Sequence, residues 1–314
     1  MIASFAYVLA GLLLLVVAGD ALVRGAVSLA LKLGIPAFIV SLTIVAFGTS
    51  APELLVAVQS ALEGAPGIAF GNVVGSNTAN VLLVLGVPAL VAGMDPRGSD
   101  TRRPYLIMLA VSMLFILLCF WGTFYVWQGA LLLGILTWTI LDAIRDGRKQ
   151  RVSEIEDEEI EGADVSMSNQ KLSMFLVAGL IGLPLGAHFL IVGSVDLARM
   201  WGLSEAVIGL TIVAIGTSLP ELATTVTAAL KKQADVALGN VIGSNLFNIL
   251  AIMGVASFFG PLRVPPELIR LDLWVMLLSS VLLIPFVFKE FQFTRWVGIV
   301  FSGLYGLYLF VIMS

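Results

Sequence analysis

Residues 42–54 read LTIVAFGTSAPEL, and residues 210–222 read LTIVAIGTSLPEL. The likeness resumes downstream, where GNVVGSNTAN at 71–80 faces GNVIGSNLFN at 239–248. The offset is 168 throughout, Leu42 against Leu210 and Asn80 against Asn248, with no gap, and about half the positions from Ser41 to Gly86 are identical. A match of that length and register does not arise by chance. The chain is an internal duplication, and whatever one copy does near residue 50 the other does near residue 218.

Working outward, 59% of the 314 residues are hydrophobic and 12% charged, with a mean hydropathy of +1.03. A water-soluble chain of this size must keep a largely polar outside, whereas lipid turns runs of about 20 apolar residues into stable spans. Such runs fall at 3–30, 37–62, 68–92, 104–121, 124–145, 170–199, 205–230, 235–259, 269–288 and 293–313. The first is read as a span, not a cleaved leader, because its first basic residue is Arg24. Between the fifth and sixth runs, EIEDEEIEGAD (154–164) has no apolar face and reads as a solvated linker. It holds seven of the 21 acids, so the net charge of −4 and the low pI point to no nucleic-acid partner. One cysteine and one histidine exclude a disulfide framework and His-rich zinc chemistry.

These runs predict an all-α polytopic membrane protein of about ten transmembrane helices. Residues 1–145 and 170–314 form two five-helix repeats joined by an acidic linker, 146–169, with the duplicated segments at about 37–92 and 205–259. Five is odd, so the second copy enters the membrane in the opposite sense. Inverted repeats of this kind place substrate near the midplane where the copies meet. With the N-terminus outside, fourteen lysines and arginines lie on the cytoplasmic side and only Arg199, Arg263 and Arg270 outside. Both termini are therefore expected outside, and the acidic loop in the cytosol.

Glu53 and Glu221 sit mid-span, where an ionised side chain is costly, next to Gly48/Pro52 and Gly216/Pro220, which interrupt the helix ladder. Irregular backbone at that depth persists where protein, water or an ion takes up the freed groups. A purely structural account is available: Ser50 to Glu53 and Ser218 to Glu221 both match the S-x-x-E capping box. Thr49 and Thr217 lie one turn before the glutamates. Ser76 and Asn80, with Ser244 and Asn248, share a face at i, i+4 spacing and offer hard oxygen donors suited to Na⁺ or Ca²⁺. Asn72, Asn77, Asn240 and Asn245 read as interhelical glue, and Gly71, Gly75, Gly239 and Gly243 as close-packing positions. Asp20 and Arg24, and Asp196 and Arg199, read as interfacial ion pairs; His188, the repeat mate of Asp20, reads as a packing residue.

The paired GTSxPE and GNVxGSNxxN segments resemble the two alpha-repeats of the calcium/cation antiporter superfamily, in particular the prokaryotic sodium/calcium exchangers. The resemblance implies oxygen-lined cation sites between the second, third, seventh and eighth helices. Glu53 and Glu221 would be central calcium ligands, joined by Thr49 and Thr217; sodium sites would draw on Ser50, Ser76, Ser218, Ser244 and the carbonyls of Ala46 and Ala214. Many members carry an aspartate matching Asn80 or Asn248 in one copy. Here both are asparagine, so the core offers two carboxylates, which one Ca²⁺ neutralises. A glutamate soon after the Gly-Asn pair, the mark of the proton/calcium branch, is absent.

The resulting expectation is a secondary antiporter of a prokaryotic inner or plasma membrane, exchanging cytosolic Ca²⁺ for Na⁺, with no cofactor beyond the transported ions and membrane lipid as its surroundings. A Ca²⁺/H⁺ antiporter is the nearest alternative, and a passive cation channel would use the same oxygens as a filter. A primary pump is disfavoured because no GxxxxGK[ST] is present, and an enzyme because no Ser/His or metal-His pair is.

Overall fold

The computed structural model describes residues 2–97, 101–150, 167–201 and 214–313. Helix α1 spans Ile2–Leu33. Helices α2 (Ala37–Thr49) and α3 (Ala51–Leu62) form one bent pair, 45° apart. Then follow α4 (Pro66–Val91), α5 (Arg102–Cys119), α6 (Val126–Gln150) and α7 (Asn169–Met200). In the second copy α8 (Ala214–Thr217) and α9 (Leu219–Leu230) match the bent pair, and α10 (Ala234–Ala256) matches α4. A short α11 (Pro266–Arg270) precedes α12 (Asp272–Phe288) and α13 (Arg295–Met313).

Among the described residues seven helices are long and apolar enough to cross a membrane, or eight if the bent pair counts as one span. The ninth expected span coincides with the shorter apolar α12, and the seventh is described only from Ala214. Most of the expected acidic linker, residues 151–166, lies outside the described residues.

The bend between α2 and α3 has a local cause. Pro52 has no N–H for the carbonyl four residues back, so the ladder breaks and restarts at Ser50, with φ −84° and ψ 7°. At the far end of α3 the chain turns through Gly64 at φ 69°, where a missing Cβ removes the steric cost; in the second copy Lys232 makes the same turn at φ 57°. Among the described residues three wider π-helical stretches, Ser41–Val45, Asn80–Val84 and Asn248–Ile252, interrupt the α-helices. Two of them begin at the expected ligand asparagines.

Inversion of the repeat is visible in α1 and α7, whose residues correspond at the offset of 168. A Cβ on Gly193 would fall 2.6 Å from Ser4 O, one on Gly186 3.0 Å from Leu15 N, and one on Gly25 2.9 Å from Leu176 Cδ2. As numbers rise on one helix they fall on the other, so the matching helices run antiparallel, and glycine lets their backbones touch. The pair lies at the periphery: 28% of the apolar window of each is buried, against 100% for α10 and 78% for α4. Its outward side chains, such as Val16 at 65% exposure, are apolar because lipid is their solvent.

Among the described residues the all-α expectation holds except for two small seams. Strands β1 (Thr123–Phe124) and β2 (Leu262–Arg263) pair antiparallel, Thr123 with Arg263 and Phe124 with Leu262, and Met94 pairs with Phe293. In each seam the loop after the third helix of one copy joins the loop before the fifth helix of the other.

Candidate functional site

The site forms where α4 and α10 cross between the two helix breaks. Asn77 and Asn245 stand at that crossing and bond reciprocally: Asn77 Nδ2 donates to Asn245 O at 3.3 Å, and Asn245 Nδ2 to Asn77 O at 3.4 Å. Each therefore has its Oδ1 left to accept. Asn80 Nδ2 donates to Asn245 Oδ1 at 3.0 Å, and Asn248 Nδ2 to Asn77 Oδ1 at 2.9 Å. With their amino groups committed outward, Asn80 and Asn248 each present Oδ1 the other way, buried and unpartnered. The sequence reading of Asn77 and Asn245 as glue is right, and their consequence is larger than packing: they fix which face of two neighbouring amides looks into the centre.

The glutamates are held by the same logic. Asn72 Nδ2 donates to Glu53 O at 3.4 Å, and its mate Asn240 Nδ2 to Glu221 O at 3.3 Å. Asn240 also donates to Thr225 Oγ1 at 3.0 Å, and Thr49 Oγ1 lies 3.5 Å from Asn240 Oδ1. Ser50 Oγ donates to Glu221 Oε1 at 3.1 Å, which joins the break of one copy to the carboxylate of the other. Neither Ser50 nor Ser218 makes a side-chain cap bond, although each occupies the N-cap position. The capping-box account thus has the right place and the wrong bonds. Thr225 went unnoticed in the sequence because its mate is Ala57, and no repeat signal marks it.

Eight buried side-chain oxygens among the described residues have no hydrogen-bond partner. Six belong to expected ligands: Glu53 Oε2, Glu221 Oε2, Asn80 Oδ1, Asn248 Oδ1, Ser218 Oγ and Ser244 Oγ. Glu53, Glu221, Asn80 and Asn248 are each only 1% exposed. Leaving one such group unmet costs about 1–3 kcal/mol and more if it is charged, so six concentrated at one place are a demand for a ligand. Every donor is oxygen, the pattern of a hard cation. Ser76 is buried one turn before Asn80, and Thr217 is half-buried at the end of α8. Ala46 O already accepts from Ser50 N at 3.1 Å and Thr49 Oγ1 at 3.3 Å; Ala214 opens α8. Gly239 has the close approach expected of it, a Cβ there falling 2.8 Å from Phe38 O, and Gly243 packs against Leu42 O and Ala46. The segment matching that contact for Gly71 and Gly75 lies outside the described residues.

The profile of the sodium/calcium exchanger protein family matches residues 3–140 and 171–314, both copies and none of the linker. The chain belongs to that family. The exchanger is 36% identical to the putative antiporter CaxA of Alkalimonas amylolytica over 286 residues, 90% of this chain and 89% of that one. It is 32% identical to the sodium/calcium exchanger MaX1 of Methanosarcina acetivorans over 348 aligned positions, covering 98% of each. Its fold matches the solved structure of the sodium-calcium exchanger NCX_Mj with a TM-score of 0.84 at 30% identity, over 99% of both chains. The expected pair of Asp20 with Arg24 is present at the rim at 2.8 Å.

Proposed function

We propose that the exchanger moves Ca²⁺ out of the cytosol against entering Na⁺, by alternating access, with residues 1–145 and 170–314 as its two inverted repeats. The observation that carries this is the set of six unpartnered, buried oxygens, four of them paired across the repeat and two of them carboxylate oxygens. Two carboxylates balance one divalent ion, and amide, hydroxyl and carbonyl oxygens complete its shell without adding charge. Glu53 and Glu221 are the charge-bearing Ca²⁺ ligands, with Thr49 and Thr217 beside them. Ser50, Ser76, Ser218, Ser244, Asn80, Asn248 and the carbonyls of Ala46 and Ala214 surround them and serve Na⁺ as well. Because the two ions draw on overlapping oxygens, occupancy by one displaces the other, and exchange follows when the occupied site reopens on the other face. α1 and α7, long, peripheral and without ligands, are the elements that move past this fixed site. The excess of lysine and arginine puts both termini outside and the linker in the cytosol.

The test is uptake of radioactive Ca²⁺ into proteoliposomes while the cation on the opposite side is changed among Na⁺, K⁺ and H⁺. Uptake is expected with Na⁺ inside and to collapse without it. Uptake with no exchangeable cation opposite would make the protein a channel, and uptake driven equally by a proton gradient a proton-coupled antiporter.

A further inference from the structure

The asparagine crossing of α4 and α10 obeys the two-fold relation between copies, but the rim of the exchanger does not. On one side α1 lies along α9: a Cβ on Gly19 would meet Thr227 Oγ1 at 3.0 Å and Ala223 O at 3.3 Å. Just beyond, Lys231 Nζ reaches Asp20 Oδ1 at 2.7 Å while Arg24 holds Oδ2 at 2.8 Å. The repeat mates of these residues are Ala187 and His188 on α7, and Leu55, Gln59 and Glu63 on and beyond α3. There the contact is open. Leu55, the mate of Ala223, is 71% exposed, His188 is exposed, and Glu63 accepts instead from Gln59 Nε2 at 2.8 Å. The chemistry of the two corners is also reversed in order: carboxylate on α1 facing the lysine amine at the end of α9, imidazole on α7 facing carboxylate at the end of α3.

We propose that Asp20–Lys231 and His188–Glu63 are alternating latches, one closed at each extreme of the transport cycle, and that Asp20 and Lys231 are positioning residues that hold α1 in the state seen here. An inverted repeat reaches its opposite-facing state by exchanging the conformations of its copies. Exchange docks α7 onto α3 as α1 is docked onto α9 now, which brings the imidazole of His188 to the Glu63 carboxylate and pulls Asp20 from Lys231. Each corner thus sets a carboxylate against a nitrogen donor, an ammonium in one and an imidazole in the other, so neither state is left with a pair of like charges. The inference rests on the alternating-access reading and names the contacts that set the balance between its two states. A partly exposed ion pair shifts a two-state balance by a factor of about 1.5 to 5, enough to tune a cycle and too little to stall it.

The experiment uses the full chain with Cys119→Ser in proteoliposomes, carrying Asp20→Cys with Lys231→Cys, or His188→Cys with Glu63→Cys, treated with a short bifunctional methanethiosulfonate. Each pair is expected to cross-link and to stop exchange when linked, with Ca²⁺ gradients of opposite direction favouring opposite pairs. In the His188/Glu63 cysteine background, Asp20→Asn is expected to raise cross-linking there by about 1.5- to 5-fold. The proposal is overturned if both pairs link to completion under one condition, if His188/Glu63 never links under either gradient, or if Asp20→Asn leaves its cross-linking unchanged. Cross-linking reads helix position whichever cation drives the cycle. Loss of Na⁺-dependent Ca²⁺ flux with reciprocal cross-linking intact would therefore count against the exchange reading and for the latches.

Discussion

The centre and the rim of this molecule come from the same duplication and treat it differently. At the centre, α4 and α10 reproduce each other where they cross: Asn77 answers Asn245, and Asn80 answers Asn248. At the rim, α1 is docked on α9 while Leu55 on α3 stays bare. A site that must serve ions from both faces gains from being the same seen from either. Helices that decide which face is open must differ at any instant. Symmetry is kept where α4 and α10 cross and given up where the motion is.

The comparison is tested most severely at the carboxylates. Glu53→Gln and Glu221→Gln preserve shape and remove one charge each, and a divalent ion then keeps half its balance in a buried site. Each is expected to weaken Ca²⁺ binding by about 3 kcal/mol or more, about a hundred-fold, with Na⁺-driven Ca²⁺ uptake reduced to background. Equal losses in the two variants would confirm the central symmetry; normal transport in either would break it.

Next in size are the amides that orient the ligands. Asn77→Ala leaves Asn248 Nδ2 without its acceptor, and Asn245→Ala does the same to Asn80. Each is expected to cost about 1–3 kcal/mol in thermal unfolding, to weaken Ca²⁺ half-saturation by up to about tenfold, and to match the other. A large difference between them would show that the centre is less symmetric in function than in geometry.

At the rim, Gly182→Ala places a Cβ 2.7 Å from that of Ala18 and forces α1 and α7 apart. A stability loss of about 1–3 kcal/mol is expected, with exchange slowed more than Ca²⁺ binding. Gly303→Ala on α13, where nothing described lies within 4 Å of the added atom, is expected to stay within about 0.5 kcal/mol. Equal effects in binding and exchange for Gly182→Ala would return α1 and α7 to a merely structural part.

The smallest effect belongs to the seam at Met94. The Arg97 guanidinium beside Asp95 holds its carboxyl down to about 2, helped by Gln292 from the other copy. A lowered carboxyl stabilises the fold above its ordinary value near 3.8 and loses that contribution as pH falls toward 2. Solvent screening keeps the whole below about 0.5 kcal/mol. Asp95→Asn is expected to flatten the acid limb of an unfolding curve between about pH 4 and pH 2 and to leave exchange at neutral pH unchanged.

Much of this was legible because a duplication reports its own important residues. Glu53, Glu221, Asn80 and Asn248 stood out by recurring at one offset in segments too polar for lipid, and the span pattern followed from hydropathy. The three π-helical stretches were not legible: widening a helix by one residue per turn leaves no signature in residue type. The S-x-x-E pattern predicted capping bonds, but in a buried centre Ser50 finds a better acceptor in the carboxylate of Glu221. Thr225 was invisible because it has no counterpart. The uneven docking at the rim could not be read either, since a 168-residue offset describes two equal corners and only conformation separates them.

The two seams have a consequence for how the chain is made. Phe124 waits for Leu262, and Met94 for Phe293, each partner arriving more than a hundred residues later in synthesis. Until then the first copy rests in the bilayer with its loops unmatched, and Asn77 lacks the neighbour that orients the ligands. Long-range pairing of this kind delays folding and prolongs exposure to wrong partners. Half a protein inserted in the membrane is therefore no half-strength transporter. It is an assembly intermediate, whose lifetime is set by how quickly the ribosome delivers the rest.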